Sequence, residues 1–380
     1  MLNLDLTGAE VLGPSGLHRD RLSFADGLIV DAPAGRTVDL SGYLVLPGIV
    51  DVHGDGFERH LAPRRGAMKQ MAEGLMAVEA ELAANGITTA TLAQFVSWEG
   101  GVRSLEFAEQ VFSHLRDVAP GMVTDLRGQL RFETYQLDLF DTLPERMAEW
   151  GLGYIVFNDH LPHDRLQDGR QPRRLVSQAL KARRSPEKHL AMMQAMEARR
   201  DEVPAALDAL CARLADAQIT MGSHDDSTAE GRAVWSSRGV RVAEFPETLE
   251  AAEAAAQQGG IVVMGSPNVV RGGSHNLNVS AVDLIAMGYC DALASDYHYP
   301  SARRAALMLW QNGMRDLAGA WSLVSAGPTA MLGLNDRGVL EAGKRADIVV
   351  LDRESLRVSA TFVQGRVSYM SGDVANRFMK

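Results

Sequence analysis

From about residue 45 to residue 325, short apolar and β-branched runs alternate with longer stretches of helical period. The runs LVLPGIVDVH (44–53), ITTATLAQ (87–94), GQLRFET (128–134) and YIVFND (154–159) read as strands. So do QITMGSH (218–224), VRVAEF (240–245), IVVMGS (261–266) and DALASD (291–296). Between the first two, MKQMAEGLMAVEAELAANG places Met68, Met71, Leu75, Val78 and Leu82 on one helical face, and Asn85-Gly86 supplies the stop. Eight strands, each followed by a helix, predict an α/β chain folded as a (β/α)8 TIM barrel. A doubly wound open sheet is the alternative, but no glycine-rich dinucleotide fingerprint follows the first strand.

The ends carry another pattern. Residues 1–46 read as short β-segments joined by GPSG, FADG and APAG, and residues 330–380 return to strands in ADIVVLD and RVSATFVQGRVSYM. Both termini are therefore expected to build one small β-sandwich, leaving 47–329 as the barrel. An arginine-rich helical stretch at about 164–214 reads as an excursion that lids one side of the barrel mouth.

Composition narrows the partners. The net charge of −10 argues against a general nucleic-acid surface, though local basic clusters can still receive a small anion. No apolar run reaches the ~18 residues of a membrane span, and the acidic start MLNLDLTGAE is unlike a targeting signal. The two cysteines, Cys211 and Cys290, form no motif and are expected to be buried apolar residues in a reducing cytoplasm. Assembly into a homo-oligomer stays open.

In such barrels chemistry sits at the C-terminal strand ends, and polar residues collect there. His53 and Asp55 follow the first strand, with His60 and Arg64 beyond them. Glu133 ends the third, Asn158-Asp159-His160 the fourth and Ser223-His224-Asp225-Asp226 the fifth. Glu244 and Glu247 follow the sixth, Arg271 and His275 the seventh, Asp296 and His298 the eighth. Seven of the ten histidines lie at or just past such an end, whereas His18, His114 and His189 fall outside and are expected at the surface.

Coordination chemistry gives these residues roles. In H-x-D on a strand, positions i and i+2 share a side, so His53 and Asp55 can grip one ion. Two ions ~3.5–4 Å apart need a bridging anion. None of the five lysines ends a strand, so a carbamylated lysine is unsuited, whereas Glu133 can bridge. His160 and His224 then complete the second ion, and Asp296 ligates the first while taking a proton from bound water. Taken singly, each residue has a plain structural reading, as loop histidine or helix cap; together, at five strand ends, they point to a divalent metal centre. Zinc suits the donors, and manganese or iron also fits. A serine nucleophile is disfavoured, because Ser223 and Ser266 lack the G-x-S-x-G elbow.

This pattern resembles the amidohydrolase superfamily, as do LPGIVDVHGD, DRGVLEAGKRADIVVLD and FVQGRV. The motifs VDVHGDGFERHLAPR, ANGITT, LRFE, NDHLP, SHDD, AEFPET, MGSPNVVRGGSH and ASDY are similar to its phosphonate-metabolism branch, the α-D-ribose 1-methylphosphonate 5-triphosphate diphosphatases. The resemblance implies hydrolysis of a triphosphate anhydride with release of pyrophosphate. It makes His60, Arg64, Arg271 and His275 candidates to hold a phosphorylated ribose. Cleavage of a C–N bond, as by a deacetylase or deaminase, is the alternative, and a scaffold that only binds is the third. The chain departs from the branch at Gly56, Gln129, His163, Asp164 and His298. These changes are expected around the substrate rather than among the ligands.

Overall fold

The computed structural model describes residues 2–62, 70–273 and 278–379. Seven short strands come first: β1 Leu4–Thr7, β2 Glu10–Gly13, β3 Gly16–His18, β4 Leu22–Ala25, β5 Leu28–Val30, β6 Arg36–Asp39 and β7 Tyr43–Pro47. Eight more follow: β8 Ile49–Gly54, β9 Ile87–Val96, β10 Asp125–Glu133, β11 Tyr154–Asn158, β12 Thr220–His224, β13 Val242–Glu244, β14 Ile261–Gly265 and β15 Ala292–Ala294. The chain closes with β16 Ile348–Asp352, β17 Val358–Val363 and β18 Arg366–Met370.

The eight middle strands form one sheet in sequence order, β8 to β15, with helices in the connections. A parallel bridge from Gly54 to Asp296 joins the first strand to the turn after the last, so the sheet is a (β/α)8 barrel. Barrel strands are covered on both faces, and β9 is buried at all ten positions. Its threonines still find partners: Thr88 Oγ1 donates to the Ile49 carbonyl and Thr91 Oγ1 to that of Asp51, each at 3.3 Å.

The first expected strand is two strands. The run 44–53 breaks at Gly48, so that β7 pairs with β16 in a terminal sheet while β8 enters the barrel. A Cβ at Gly48 would stand 2.3 Å from Thr88 Oγ1, so only glycine passes there. Trp321 Nε1 donates to the Pro47 carbonyl at 2.9 Å and holds the corner.

The helix after β8 runs Met71–Ala84 and buries Leu75, Val78 and Leu82, as the spacing predicts. Met68, by contrast, lies outside the described residues. Gly86 turns the chain at φ 81° just past the Asn85 cap.

The terminal strands make two sheets, ordered β5-β4-β1-β6 and β18-β17-β16-β7-β2-β3. Leu4, Leu6 and Phe24 from one and Val45, Val350 and Phe362 from the other share a single buried core, which makes a β-sandwich. Among the described residues, no helix is long and apolar enough to cross a membrane.

The chain divides into two compact units. One comprises Met1–Leu92, Val118–Arg127 and Val263–Lys380; the other comprises Ala93–Asp117 and Gly128–Val262. The second contains the helical excursion between β11 and β12, with helices His163–Gln167, Leu175–Lys181, Pro186–Glu197 and Val203–Asp216. Trp98, Leu161, Leu166, Leu175 and Met193 form its buried core. His189 belongs to that core rather than to the surface, with 0% exposure and its ring 5.8 Å from that of Trp98. Burial, reinforced by the Arg184 charge, pushes its imidazole below the ordinary histidine range.

Candidate metal centre

β8 delivers Asp51 and His53, both fully buried. Asp51 accepts hydrogen bonds from the Ser295 backbone N–H at 2.9 Å and the Ser295 hydroxyl at 2.5 Å. Burial still pushes its carboxyl above the ordinary range, although both Ser295 bonds oppose this. The turn after β15 is clamped onto the end of β8. The Asp296 N–H donates to the His53 carbonyl at 2.9 Å, and the Asp296 carbonyl accepts from Asp55 at 3.0 Å and Gly56 at 3.3 Å. Asp296 itself is held at φ 57°, a left-handed position that only a fixed turn keeps in a residue with a Cβ. Asp55 and Asp296 are both half-buried.

β10 and β11 deliver Glu133 and His160. The buried Glu133 carboxylate accepts from Trp98 Nε1 at 3.3 Å and from the His160 N–H at 3.1 Å, and lies 2.5 Å from His160 Nδ1. Burial alone would depress the His160 imidazole, but the Glu133 carboxylate outweighs it and holds its pKa above the usual value. On β12, His224 lies between opposite charges: Asp225 Oδ2 is 2.9 Å from Nδ1, and Arg131 Nη2 is 3.0 Å from Nε2. Arg131 is itself fixed by Asn158 and stacks 3.9 Å from the Phe95 ring centroid.

β13 brings a residue that the sequence reading placed at a strand end but did not count as a ligand. Glu244 pairs in register with His224 and is fully buried. Its Oε1 accepts from Gln129 Nε2 at 2.6 Å and from the Tyr154 hydroxyl at 2.5 Å. Burial first, and then the Glu244 charge, push the Tyr154 phenol well above its ordinary range, so it stays a donor.

His53, His224 and Glu244 each offer a ligand atom, and the three atoms lie within 4.8 Å of one another. Two imidazoles and a carboxylate make a donor set that fits a divalent ion. An ion bound through an imidazole nitrogen of His224 replaces one of that ring's present contacts. Asp55, Glu133, His160 and Asp296 are not in this group of three, and Glu133 and His160 stand as a pair of their own.

The amidohydrolase family model matches residues 286–370. The α-D-ribose 1-methylphosphonate 5-triphosphate diphosphatase of Escherichia coli (strain K12) is 32% identical over 349 residues, covering 87% of this chain and 89% of that protein. The chain belongs to the amidohydrolase family. Solved structures share the fold alone, at 14% identity. The β-aspartyl dipeptidase of Fervidobacterium islandicum AW-1 has TM-score 0.60 over 98% of each chain. The N-acyl-D-glutamate deacylase of Bordetella bronchiseptica, complexed with zinc and a phosphonate inhibitor, has TM-score 0.62 over 97% of this chain and 96% of its own.

The remaining candidates of this amidohydrolase fall in different settings. His60 Nε2 lies 2.6 Å from Glu81 Oε2, and Arg59 also grips Glu81. Arg271 is exposed and donates to the Tyr297 hydroxyl. Arg64 and His275 lie outside the described residues. Two departures from the branch have side-chain partners, Gln129 a buried one and His163 a partly exposed pair. Gln129 donates to Glu244, one of the three residues of the candidate metal group. His163 joins two carboxylates, with Nδ1 2.5 Å from Glu197 and Nε2 2.9 Å from Asp159. Cys211 and Cys290 are buried, as expected.

Proposed function

We propose that this amidohydrolase hydrolyses a phosphoanhydride of a ribose 5-triphosphate, α-D-ribose 1-methylphosphonate 5-triphosphate, and releases pyrophosphate. The observation that carries the reading is the 32% identity to the diphosphatase across nearly the full length of both chains. The grouping of His53, His224 and Glu244 supplies a place for the metal that this chemistry needs. A cytoplasmic site of action goes with the reading. So does the division into a barrel at 47–329 and a supporting sandwich from 1–46 and 330–380.

His53, His224 and Glu244 would hold one divalent ion, and Asp55, Glu133, His160 and Asp296 would complete a pair, with zinc matching the donors. When bound, such ions lower the pKa of water and offset charge on the attacked phosphoryl group. Asp296 accepts the proton as water oxygen adds to phosphorus and the anhydride P–O bond breaks. The backbone clamp from His53, Asp55 and Gly56 fixes where that carboxylate stands. Arg131, buried beside His224, keeps a positive charge facing the same strand ends.

Purified protein loaded with zinc or manganese is incubated with the triphosphate and assayed for pyrophosphate. Release that stops on chelation and returns with metal supports the reading. No pyrophosphate, with ammonia or a free acid produced from amide substrates instead, refutes it.

A further inference from the structure

The helical excursion, the loop after β9 and the end of β11 line an open cavity of about 540 Å³, within the size range of small-ligand sites. Its wall includes His160, a candidate metal ligand, together with Glu99, Arg103, Arg165, Arg173 and Arg174. Four guanidinium charges thus face one carboxylate, in a chain whose net charge is −10. Glu99 is already matched: it is ion-paired with Arg103 and accepts from Gln178 Nε2 at 2.9 Å. Arg103 also lies 4.2 Å from the Phe95 ring centroid, so this pair is part of the wall.

Among the described residues, no carboxylate pairs with the other three arginines. Arg165 donates through Nη1 to the Gln171 carbonyl at 2.9 Å, which satisfies a proton but not a charge. Arg173 and Arg174 are exposed, and among the described residues no hydrogen bond or ion pair holds either side chain. Consecutive long cations beside Pro172, uncommitted and lining a cavity that reaches His160, suit a polyanion. Of the four residues expected for this task, His60 is paired with Glu81, Arg271 donates to the neutral Tyr297 hydroxyl, and Arg64 and His275 lie outside the described residues.

We infer that this arginine-lined cavity is the subsite for the substrate's distal diphosphate, which leaves from it as pyrophosphate. The inference rests on the diphosphatase reading for the identity of the anion, but the cavity's preference for a polyphosphate can be measured without turnover. Inorganic pyrophosphate is titrated into the metal-loaded enzyme by calorimetry, for wild type, for the double variant Arg173→Ala/Arg174→Ala, and for Lys181→Ala/Lys188→Ala. The last removes the same charge from exposed positions of the excursion that do not line the cavity. The arginine variant should bind ~10-fold or more weakly, as expected for loss of charge-assisted phosphate contacts, with a flatter dependence on salt. The lysine variant should match wild type. Equal affinity in the arginine variant and wild type overturns the subsite, as does equal weakening in both doubles. Triphosphate turnover by the wild type is scored separately. Weakened pyrophosphate binding without turnover leaves the subsite standing and removes the diphosphatase reading, whereas turnover with unchanged binding does the reverse.

Discussion

His163→Gln tests whether a charged latch holds the helical excursion to the end of β11. The His163 ring stands between Glu197 on the helix Pro186–Glu197 and Asp159 just past β11, and Arg200 lies 3.5 Å from the other Glu197 oxygen. Tyr135 covers one side, its ring centroid 4.7 Å away. Burial would lower the His163 pKa, but the two carboxylates outweigh it and push it up to about 8 from 6.5. A raised folded-state value means that the protonated form stabilises the fold. That contribution is complete below pH 6.5 and fades as pH rises through about 8. At ~1.36 kcal/mol per pH unit the gap amounts to ~2 kcal/mol. Asp159 is 42% exposed, and solvent screening reduces the expectation to ~1 kcal/mol. Urea unfolding, with hydrogen exchange followed in the helix Pro186–Glu197, should place His163→Gln below wild type at pH 6 and level with it at pH 9. An equal deficit at both pH values refutes the reasoning, since the loss would then come from packing against Tyr135 rather than from charge.

Two further substitutions address the centre itself. Asp296→Asn should lower pyrophosphate release by ~10²-fold or more through loss of the proton acceptor, while circular dichroism and most bound metal stay unchanged. Near-wild-type turnover would remove Asp296 from the mechanism. Glu244→Gln should lower metal content by elemental analysis, and Tyr154→Phe, which deletes one donor to Glu244, should weaken metal affinity ~10-fold in a competition titration. Unchanged metal binding in both would show that Glu244 is a structural carboxylate.

The strand order was legible because each barrel strand is an apolar run ended by a turn and followed by a helical period. What escaped the sequence lies where neighbours in space, not in sequence, set the environment. β7 and β8 read as one run because Tyr43–Pro47 and Ile49–Gly54 are buried throughout, so no polar residue marks the change of sheet. His189 sits in a helix of mixed polarity, and only the packing of Trp98 over it makes it a core residue. Glu244 has no histidine at ligand spacing in its own segment. It joins His224 through the register of two parallel strands, which the local pattern does not encode. Gln129 is informative only once Glu244 is known to receive its hydrogen bond.

Three of the eight non-glycine residues with positive φ among the described residues lie just past barrel strands: Asp225 and Phe245 directly after β12 and β13, and Asp296 two residues after β15. A left-handed residue with a Cβ costs ~1–2 kcal/mol, so its repetition at these strand ends needs a cause. Each turn sends the chain off its strand within one or two residues. At β12 the last strand residue is His224, and Asp225 bends back to within 2.9 Å of its imidazole. At β13 it is Glu244, and the Phe245 ring meets the His224 ring edge-on at 5.0 Å. At β15 the turn brings the Asp296 backbone onto both sides of the β8 end. Aspartate tolerates the left-handed region better than most residues, whereas phenylalanine does not. Phe245 therefore carries the largest conformational cost of the three, and its edge-on contact adds to the Asp225 and Arg131 contacts of the His224 ring. The buried hydrogen bonds to Glu244 on β13 and the backbone clamp between Asp296 and the end of β8 anchor the strand ends at which two of these left-handed residues, Phe245 and Asp296, stand.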